Sequence, residues 1–139
     1  MTRAILSIDG ACSGKRAACA AVLSIDGTIV AEASRSLPEV DGYVLAAEIA
    51  GVALGKALLG RETDLHEVII ETDNPDVPRV IEGDHRPKQF TRIPPAVLEA
   101  ARQLRGSYRV IFTLLPRNST PGLRKADRLA SDCLWRRRS

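Results

Sequence analysis

This sequence of 139 residues lacks several features that would place it in a familiar class. It has no uninterrupted apolar run of about 18 residues, so no transmembrane helix is expected. Its three cysteines form no C-x-x-C pair, which favours reduced thiols, with a Cys12–Cys19 disulfide as the alternative. It contains no internal repeat, and Asp9 argues against a signal peptide. We therefore expect one domain over residues 1–139, a monomer in the cytoplasm with no membrane partner.

The charge of the chain is distributed unevenly. The net charge is +3, but residues 101–139 carry ten basic and two acidic residues, so this segment alone contributes +8. Residues 1–100 consequently contribute −5. A basic surface formed by the C-terminal segment is typical of proteins that bind a polyanion, and nucleic acid is the expected partner. The alternative is a solvated face that serves solubility alone.

Hydrophobic patterning predicts an α/β fold. Asp26-Gly27 is a strong hairpin signal, and the two glycines between residues 10 and 16 predict a turn there. The resulting order, β-β-β-α-β-α-α-β-α, predicts a mixed sheet covered by helices on both faces. Apolar runs predict strands over residues 4–9, 17–25, 28–37, 66–72 and 108–115, and helical patterns predict helices over 43–59, 75–82, 94–105 and 123–137.

Four acids lie where an acid is unfavourable, namely in apolar segments or at the ends of predicted elements: Asp9, Glu48, Asp73 and Asp127. If the helix over 43–59 connects two parallel neighbouring strands, all four can meet at one edge of the sheet. A buried carboxylate must be paired, hydrogen-bonded or bound to a metal. Converging carboxylates also repel one another unless cations neutralise them. The four acids therefore predict a site for hard metal ions with oxygen ligands.

Each acid has an ordinary explanation when it is considered alone. Asp9 could belong to a turn, Glu48 could be a stray charge on a partly exposed helix, and Asp73 could cap a helix. Asp127 could form a surface ion pair with a nearby arginine. Their occurrence together, in this order of strands and helices, favours one common site.

The sequence resembles type 1 ribonuclease H in four short motifs that follow the order of that family. The resemblance covers nearly the whole chain and implies a five-stranded mixed sheet in the order 3-2-1-4-5. The motifs are Ile8-Asp9-Gly10-Ala11-Cys12-Ser13-Gly14, Ala47-Glu48 followed by Ala50, Thr72-Asp73-Asn74, and Leu115-Pro116-Arg117 with Ala126-Asp127-Arg128-Leu129-Ala130.

The resemblance implies a metal-dependent endonuclease that hydrolyses the RNA strand of RNA/DNA hybrids with two Mg²⁺ or Mn²⁺ ions. By the pattern of the family, the four acids are both catalytic residues and metal ligands. Asp9 contacts both ions, Asp127 helps hold the ion on the side of the attacking water, and Glu48 and Asp73 hold the ion on the leaving-group side. Substrate contacts are expected from Gly10, Ala11, Cys12, Ser13, Lys15, Arg16, Asn74, Arg117, Asn118, Arg124, Lys125 and the arginines at 136–138.

The sequence departs from the family where the substrate is recognised. Many members have asparagine shortly before the helix glutamate, where this chain has Val44 and Leu45. The loop over 117–122 has no histidine, and only residues 83–93 separate the second and third helices, so the basic handle of the bacterial subgroup is absent. Trp135, on the last helix, is expected to be a packing residue, with a platform on which a base stacks as the alternative.

Two other functions remain compatible with the sequence. One is a different metal-dependent nuclease of the same fold, such as a resolvase or an exonuclease. The other is a catalytically silent nucleic-acid-binding module, which the replacement of the expected asparagines would favour and the four intact acids would not.

Overall fold

The computed structural model describes residues 2–136 and contains a five-stranded sheet with four α-helices. None of the helices in this part of the chain combines the length and hydropathy needed to cross a bilayer. Two residues assigned to duplex binding, Arg137 and Arg138, lie outside the described residues. The elements are β1 (Thr2–Ser13), β2 (Arg16–Ile25), β3 (Thr28–Ser36), α1 (Val44–Leu59), β4 (Leu65–Thr72), α2 (Asp76–Ile81), a 3₁₀ turn (Phe90–Arg92), α3 (Pro95–Ser107), β5 (Arg109–Leu114) and α4 (Pro121–Trp135).

The strand order is β3-β2-β1-β4-β5, which confirms the predicted mixed sheet. β1, β2 and β3 form an antiparallel meander, whereas β4 and β5 continue the sheet parallel to β1. The α1 helix connects the antiparallel part to the parallel part. As a result, the C-terminal end of β4 lies beside β1 at the position of Ser7 to Asp9.

The first strand is longer than predicted. β1 continues to Ser13, because Gly10 to Ser13 pair with the first residues of β2. The predicted turn over residues 10–16 is therefore wrong, and the turn is limited to Gly14 and Lys15. Gly14 has a φ of +59°, a conformation that glycine adopts without steric cost. As a consequence, residues 10–13, which directly follow Asp9, belong to the strand and not to a turn.

The helices pack on both faces of the sheet, as predicted. Alternate residues of β2 divide between the two faces, since side chains point to opposite sides along a strand. Cys19, Ala21 and Leu23 contribute to a large core with α1, α2 and α3. Ala20 and Val22 pack instead with α4, in a smaller cluster of alanine and valine side chains. The small residues allow α4 to lie close to the sheet.

Gly10 allows the backbone of α1 to contact β1. A Cβ atom at Gly10 would lie 2.7 Å from the carbonyl carbon of Ala47 and 2.7 Å from the amide nitrogen of Glu48. Both contacts involve backbone atoms of a helix that is buried almost all round, so neither can move without shifting the helix. This close approach fixes the distance between β1 at Asp9 and Gly10 and the first turns of α1.

We expect Gly10→Ala to lower the free energy of unfolding by about 1–3 kcal/mol, which is typical of overpacking in a rigid core. Urea unfolding followed by circular dichroism measures this change. Gly106→Ala is the matched control, because a Cβ atom at Gly106 in α3 meets no atom within 4 Å. That control should stabilise the protein by about 0.5–1 kcal/mol, since alanine favours helix over glycine. Similar effects of the two substitutions would contradict the packing argument.

Candidate metal centre and nucleic-acid cleft

Asp9 and Asp73 lie next to each other just beyond the point where the parallel pairing of β1 and β4 ends, although Asp9 lies within β1 and not at the predicted end of that strand. Ser7 of β1 is in register with Glu71 of β4, and each strand delivers its aspartate two residues later. Asp9 is buried, with 8% of its surface exposed, and its Oδ1 accepts a hydrogen bond of 2.9 Å from the Gly10 amide. The predicted adjacency of the two acids is therefore present in the structure.

Glu48 joins these two acids from the second turn of α1. It is 3% exposed, and its Oε2 has no hydrogen-bond donor among the described residues. One carboxylate oxygen from each of Asp9, Glu48 and Asp73 lies within 4.8 Å of the other two. A buried acceptor without a donor is costly unless another group satisfies it. Three hard oxygen ligands around such an atom fit a divalent cation of the Mg²⁺ type.

Asp127 lies in the same cleft but not within the group of three. Its Oδ1 accepts a hydrogen bond of 3.1 Å from Nη2 of Arg117. Asp127 therefore forms an ion pair with an arginine, but this arginine lies ten residues earlier in the sequence. Asp127 still influences the centre, since a hydrogen bond with it contributes to raising the pKa of Asp9. The structure thus brings three of the four predicted ligands together and places the fourth beside them.

Burial and mutual repulsion alter the acidity of the two most buried acids. Desolvation, followed by the charges of Asp9 and Asp73, raises the pKa of Glu48 from 4.5 to about 10. Desolvation is also the main cause that raises the pKa of Asp9, from 3.8 to about 7. Without a cation, this pair therefore retains protons at neutral pH. A divalent cation would replace those protons, because a metal ligand must be deprotonated.

The carboxylates line an open cleft of about 580 Å³. Of the residues expected to contact substrate, Gly10, Ala11, Cys12, Ser13, Asn74 and Arg117 also line this cleft. Lys15 and Arg16 line a neighbouring groove instead. Asn118, Arg124 and Lys125 line neither, and Lys125 forms an ion pair of 2.9 Å with Glu32 of β3. Lys125 thus helps attach α4 to the sheet.

Side chains of the turn after β4 hold Asp73 in place. The Thr72 hydroxyl accepts a hydrogen bond of 3.1 Å from the Asn74 amide, and Asn74 Oδ1 accepts one of 2.9 Å from the Asp76 amide. The helix begins at Asp76, slightly later than predicted, and the Asn74 side chain accepts a hydrogen bond from its first amide. Asp73 therefore lies between two local hydrogen-bonded turns.

A polar network that sequence patterns did not reveal attaches α4 to the sheet. Glu71 Oε1 accepts hydrogen bonds from the hydroxyls of Ser7, at 2.7 Å, and Thr120, at 2.9 Å. The Thr120 hydroxyl in turn accepts from the Leu123 amide at 3.1 Å, so α4 begins at Pro121 rather than at the predicted Leu123. Thr120 followed by proline was the available signal, because threonine caps helices and proline favours their first position.

Solved structures with the same fold were found, whereas no protein-family model and no curated protein matches the sequence. RNase H1 of the halophilic archaeon Halobacterium salinarum NRC-1 is 24% identical, with a TM-score of 0.78 over 95% of this chain and 97% of that one. The N-terminal RNase H domain of Rv2228c from Mycobacterium tuberculosis is 21% identical, with a TM-score of 0.78 over 96% and 94% of the two chains. LC11-RNase H1 in complex with an RNA/DNA hybrid is 18% identical, with a TM-score of 0.64 over 94% and 96%.

These likenesses establish that the chain has the ribonuclease H fold over nearly its whole length. The order of the strands agrees with the order that the sequence resemblance implied. The fold alone does not determine the reaction, which must be argued from the site.

In a chelator, we expect the free energy of unfolding to fall as the pH rises from about 5 to about 8. The raised pKa values of Glu48 and Asp9 mean that the folded state binds more protons than the unfolded state in this range, so deprotonation favours unfolding. Urea unfolding at several pH values measures the slope. Glu48→Gln should make the slope shallower, because glutamine does not titrate.

Glu82→Gln, at an exposed position, is the matched control and should leave the slope unchanged. Equal slopes for the wild type and Glu48→Gln would show that Glu48 is not an important source of the pH dependence.

Proposed function

We propose that this chain is a metal-dependent endonuclease that hydrolyses the RNA strand of RNA/DNA hybrids. The observation that carries the proposal is the buried Glu48 carboxylate, whose Oε2 lacks a donor among the described residues and which lies within a cluster of three carboxylates. Such a cluster is unfavourable for a purely structural role, because the charges repel one another in a desolvated place. A ribonuclease H fold and a basic C-terminal segment agree with a nucleic-acid substrate.

The proposed ligands are Asp9, Glu48 and Asp73, with Asp127 completing the set. Two Mg²⁺ or Mn²⁺ ions bound there would act as Lewis acids and neutralise charge on the phosphodiester. The protein holds Glu48 in place through the contact between α1 and Gly10, so little reorganisation is needed before binding. Asp127 would be oriented by Arg117, which is 72% exposed at its side chain and can also reach a phosphate in the cleft.

Arg117 is suited to contact the scissile strand because it remains cationic. The hydrogen bond and the charge of Asp127 raise the pKa of the guanidinium further above its usual range. An arginine can bind a carboxylate and a phosphate oxygen through different N–H groups. Arg117 therefore links the acidic centre with the negatively charged backbone of the substrate.

We expect Asp9→Asn to reduce cleavage of a labelled RNA/DNA hybrid in Mg²⁺ by about two orders of magnitude or more, as for other losses of an essential electrostatic group. The melting temperature in a chelator should hold or rise, because asparagine removes the cost of burying an ionisable acid beside Glu48 and Asp73. Asp132→Asn is the matched control, since Asp132 is exposed on α4 and lines neither groove.

An Asp9→Asn variant with wild-type turnover would exclude the proposed reaction. A wild-type protein that binds hybrids without cutting them would instead favour the silent binding module. Cleavage of branched DNA in preference to hybrids would favour a resolvase.

A second expectation concerns the selection of RNA. Of the two positions where asparagine is missing, Leu45 is buried in the core and only Val44 reaches the cleft, where it is 47% exposed. Val44→Asn should therefore add a hydrogen-bonding group without disturbing the core. We expect the ratio of hybrid cleavage to RNA-duplex cleavage to rise about fivefold, the effect of a hydrogen bond of about 1 kcal/mol.

Val30→Asn is the control for this substitution, because Val30 on β3 is equally exposed and lines neither groove. An unchanged ratio in Val44→Asn would show that backbone groups of residues 10–13 suffice for selecting RNA.

A further inference from the structure

A second groove, which we call the α4 groove, lies beside the carboxylate cleft and is larger, with a volume of about 980 Å³. It is formed by the turn between β1 and β2, the end of β3 and the C-terminal turn of α4. Leu134 and Trp135 line both the α4 groove and the carboxylate cleft. The two depressions therefore adjoin each other and share a wall at the end of α4.

The charges of the two depressions are opposite. Four acids line the carboxylate cleft, whereas the α4 groove is lined by Lys15, Arg16 and Arg136, with no acid among its lining residues in the described part of the chain. Within that part, neither Lys15 nor Arg136 forms an ion pair. Exposed cations without partners are available to phosphate groups. The α4 groove thus suits a polyanion that continues from the cleft.

Trp135 is not the packing residue that the sequence predicted. It is 61% exposed, although burying an aromatic side chain is strongly favourable. Its ring is held by Arg16, whose guanidinium lies 5.7 Å from the ring centroid and donates a hydrogen bond to the Leu134 carbonyl. Arg16 therefore fixes the end of α4 and one side of the ring. An aromatic surface that is both held and exposed is suited to stacking against a base.

We propose that the α4 groove binds a single-stranded extension of the substrate as it leaves the carboxylate cleft. Trp135 stacks against a base of this extension, and Lys15 and Arg136 contact its phosphates. The occupant is single-stranded because bases inside a duplex are already stacked on their neighbours and do not offer a free face. This inference deepens the proposed function and rests on it, since it assigns a subsite to the same nuclease.

The single tryptophan of the chain supplies a direct probe. We expect the fluorescence of Trp135 to be quenched, to saturation, by an oligo-dT of about eight nucleotides, a length within the usual site size for single strands. The titration is done at low salt in a chelator, so that no cleavage occurs. Absence of any fluorescence change at saturating oligonucleotide would refute the proposal.

Charge-removing variants test the phosphate contacts while keeping the tryptophan. Lys15→Gln and Arg136→Gln should each weaken binding several-fold and reduce the slope of log affinity against log salt by about 0.7, the value for one phosphate of a single strand. Arg128→Gln is the matched control, because Arg128 is exposed on the same helix but does not line the α4 groove. Equal losses in the control and in Lys15→Gln would mean that the attraction is general and the groove is not the site.

Variants of Trp135 test stacking with a labelled oligonucleotide, by fluorescence anisotropy. Trp135→Ala should weaken binding about fivefold or more, and Trp135→Phe should restore most of the affinity, because stacking needs an aromatic face. No difference between the two variants would contradict stacking. A dimer that forms without oligonucleotide and is abolished by Trp135→Ala would show that a second copy of the chain occupies the groove.

Cleavage assays separate this inference from the proposed function. In Mg²⁺, Trp135→Ala should raise the KM for a hybrid with a single-stranded overhang about fivefold more than it raises the KM for a blunt hybrid. Equal effects on both substrates would refute a single-strand subsite. If the wild type cuts neither hybrid, the proposed function fails, whereas the oligonucleotide titrations still decide whether the groove binds a single strand.

Discussion

The contact between α1 and β1 at Gly10 is the constraint on which the acidic centre depends. With no side chain at that position, the backbone at Ala47 and Glu48 lies directly against the strand that carries Asp9. The glutamate is thereby held in a buried place beside another acid, with one oxygen unsatisfied. Folding must overcome this electrostatic cost, and it can do so because most of the helix is packed in the apolar core. The centre is consequently preorganised for a cation instead of being assembled by it.

The helices that flank the cleft, α1 and α4, lie on opposite faces of the sheet and are attached to it by different interactions. α1 is attached through apolar packing, whereas α4 is attached through small residues, the Lys125–Glu32 ion pair and the hydrogen bonds that Glu71 accepts. The polar attachment begins at the N-terminus of α4, at the cap formed by Thr120. Asp127 lies about two turns further along this helix, so the position of its carboxylate follows from where the helix begins. Glu71 thus contributes to the site through geometry, although it does not line the cleft.

The sequence predicted the fold and the convergence of the acids because both follow from local patterns. Apolar runs located the strands, and the ends of the predicted strands located Asp9 and Asp73, although β1 continues past Asp9. The errors arose where pairing or capping overrides local preference. Gly10 to Ser13 look like a turn, but their hydrogen bonds to β2 extend the strand. The Ser7–Glu71–Thr120 network joins residues far apart in the sequence, and no periodicity reports such a contact. The exposure of Trp135 depends on where α4 ends relative to the β1–β2 turn, which is also a tertiary property.

The acidic cleft and the basic α4 groove adjoin each other at Trp135. An acidic cleft alone would repel a nucleic acid, because carboxylates and phosphates carry the same sign. Arg117 inside the cleft and the cations of the α4 groove beside it offset that repulsion, while the carboxylates remain available for metal ions. Exposed charges are screened within about 8–10 Å at physiological salt, so attraction must come from groups close to the cleft and not from the net charge of +3. The turn between β1 and β2 meets this requirement, since it places Lys15 and Arg16 only a few residues beyond Asp9.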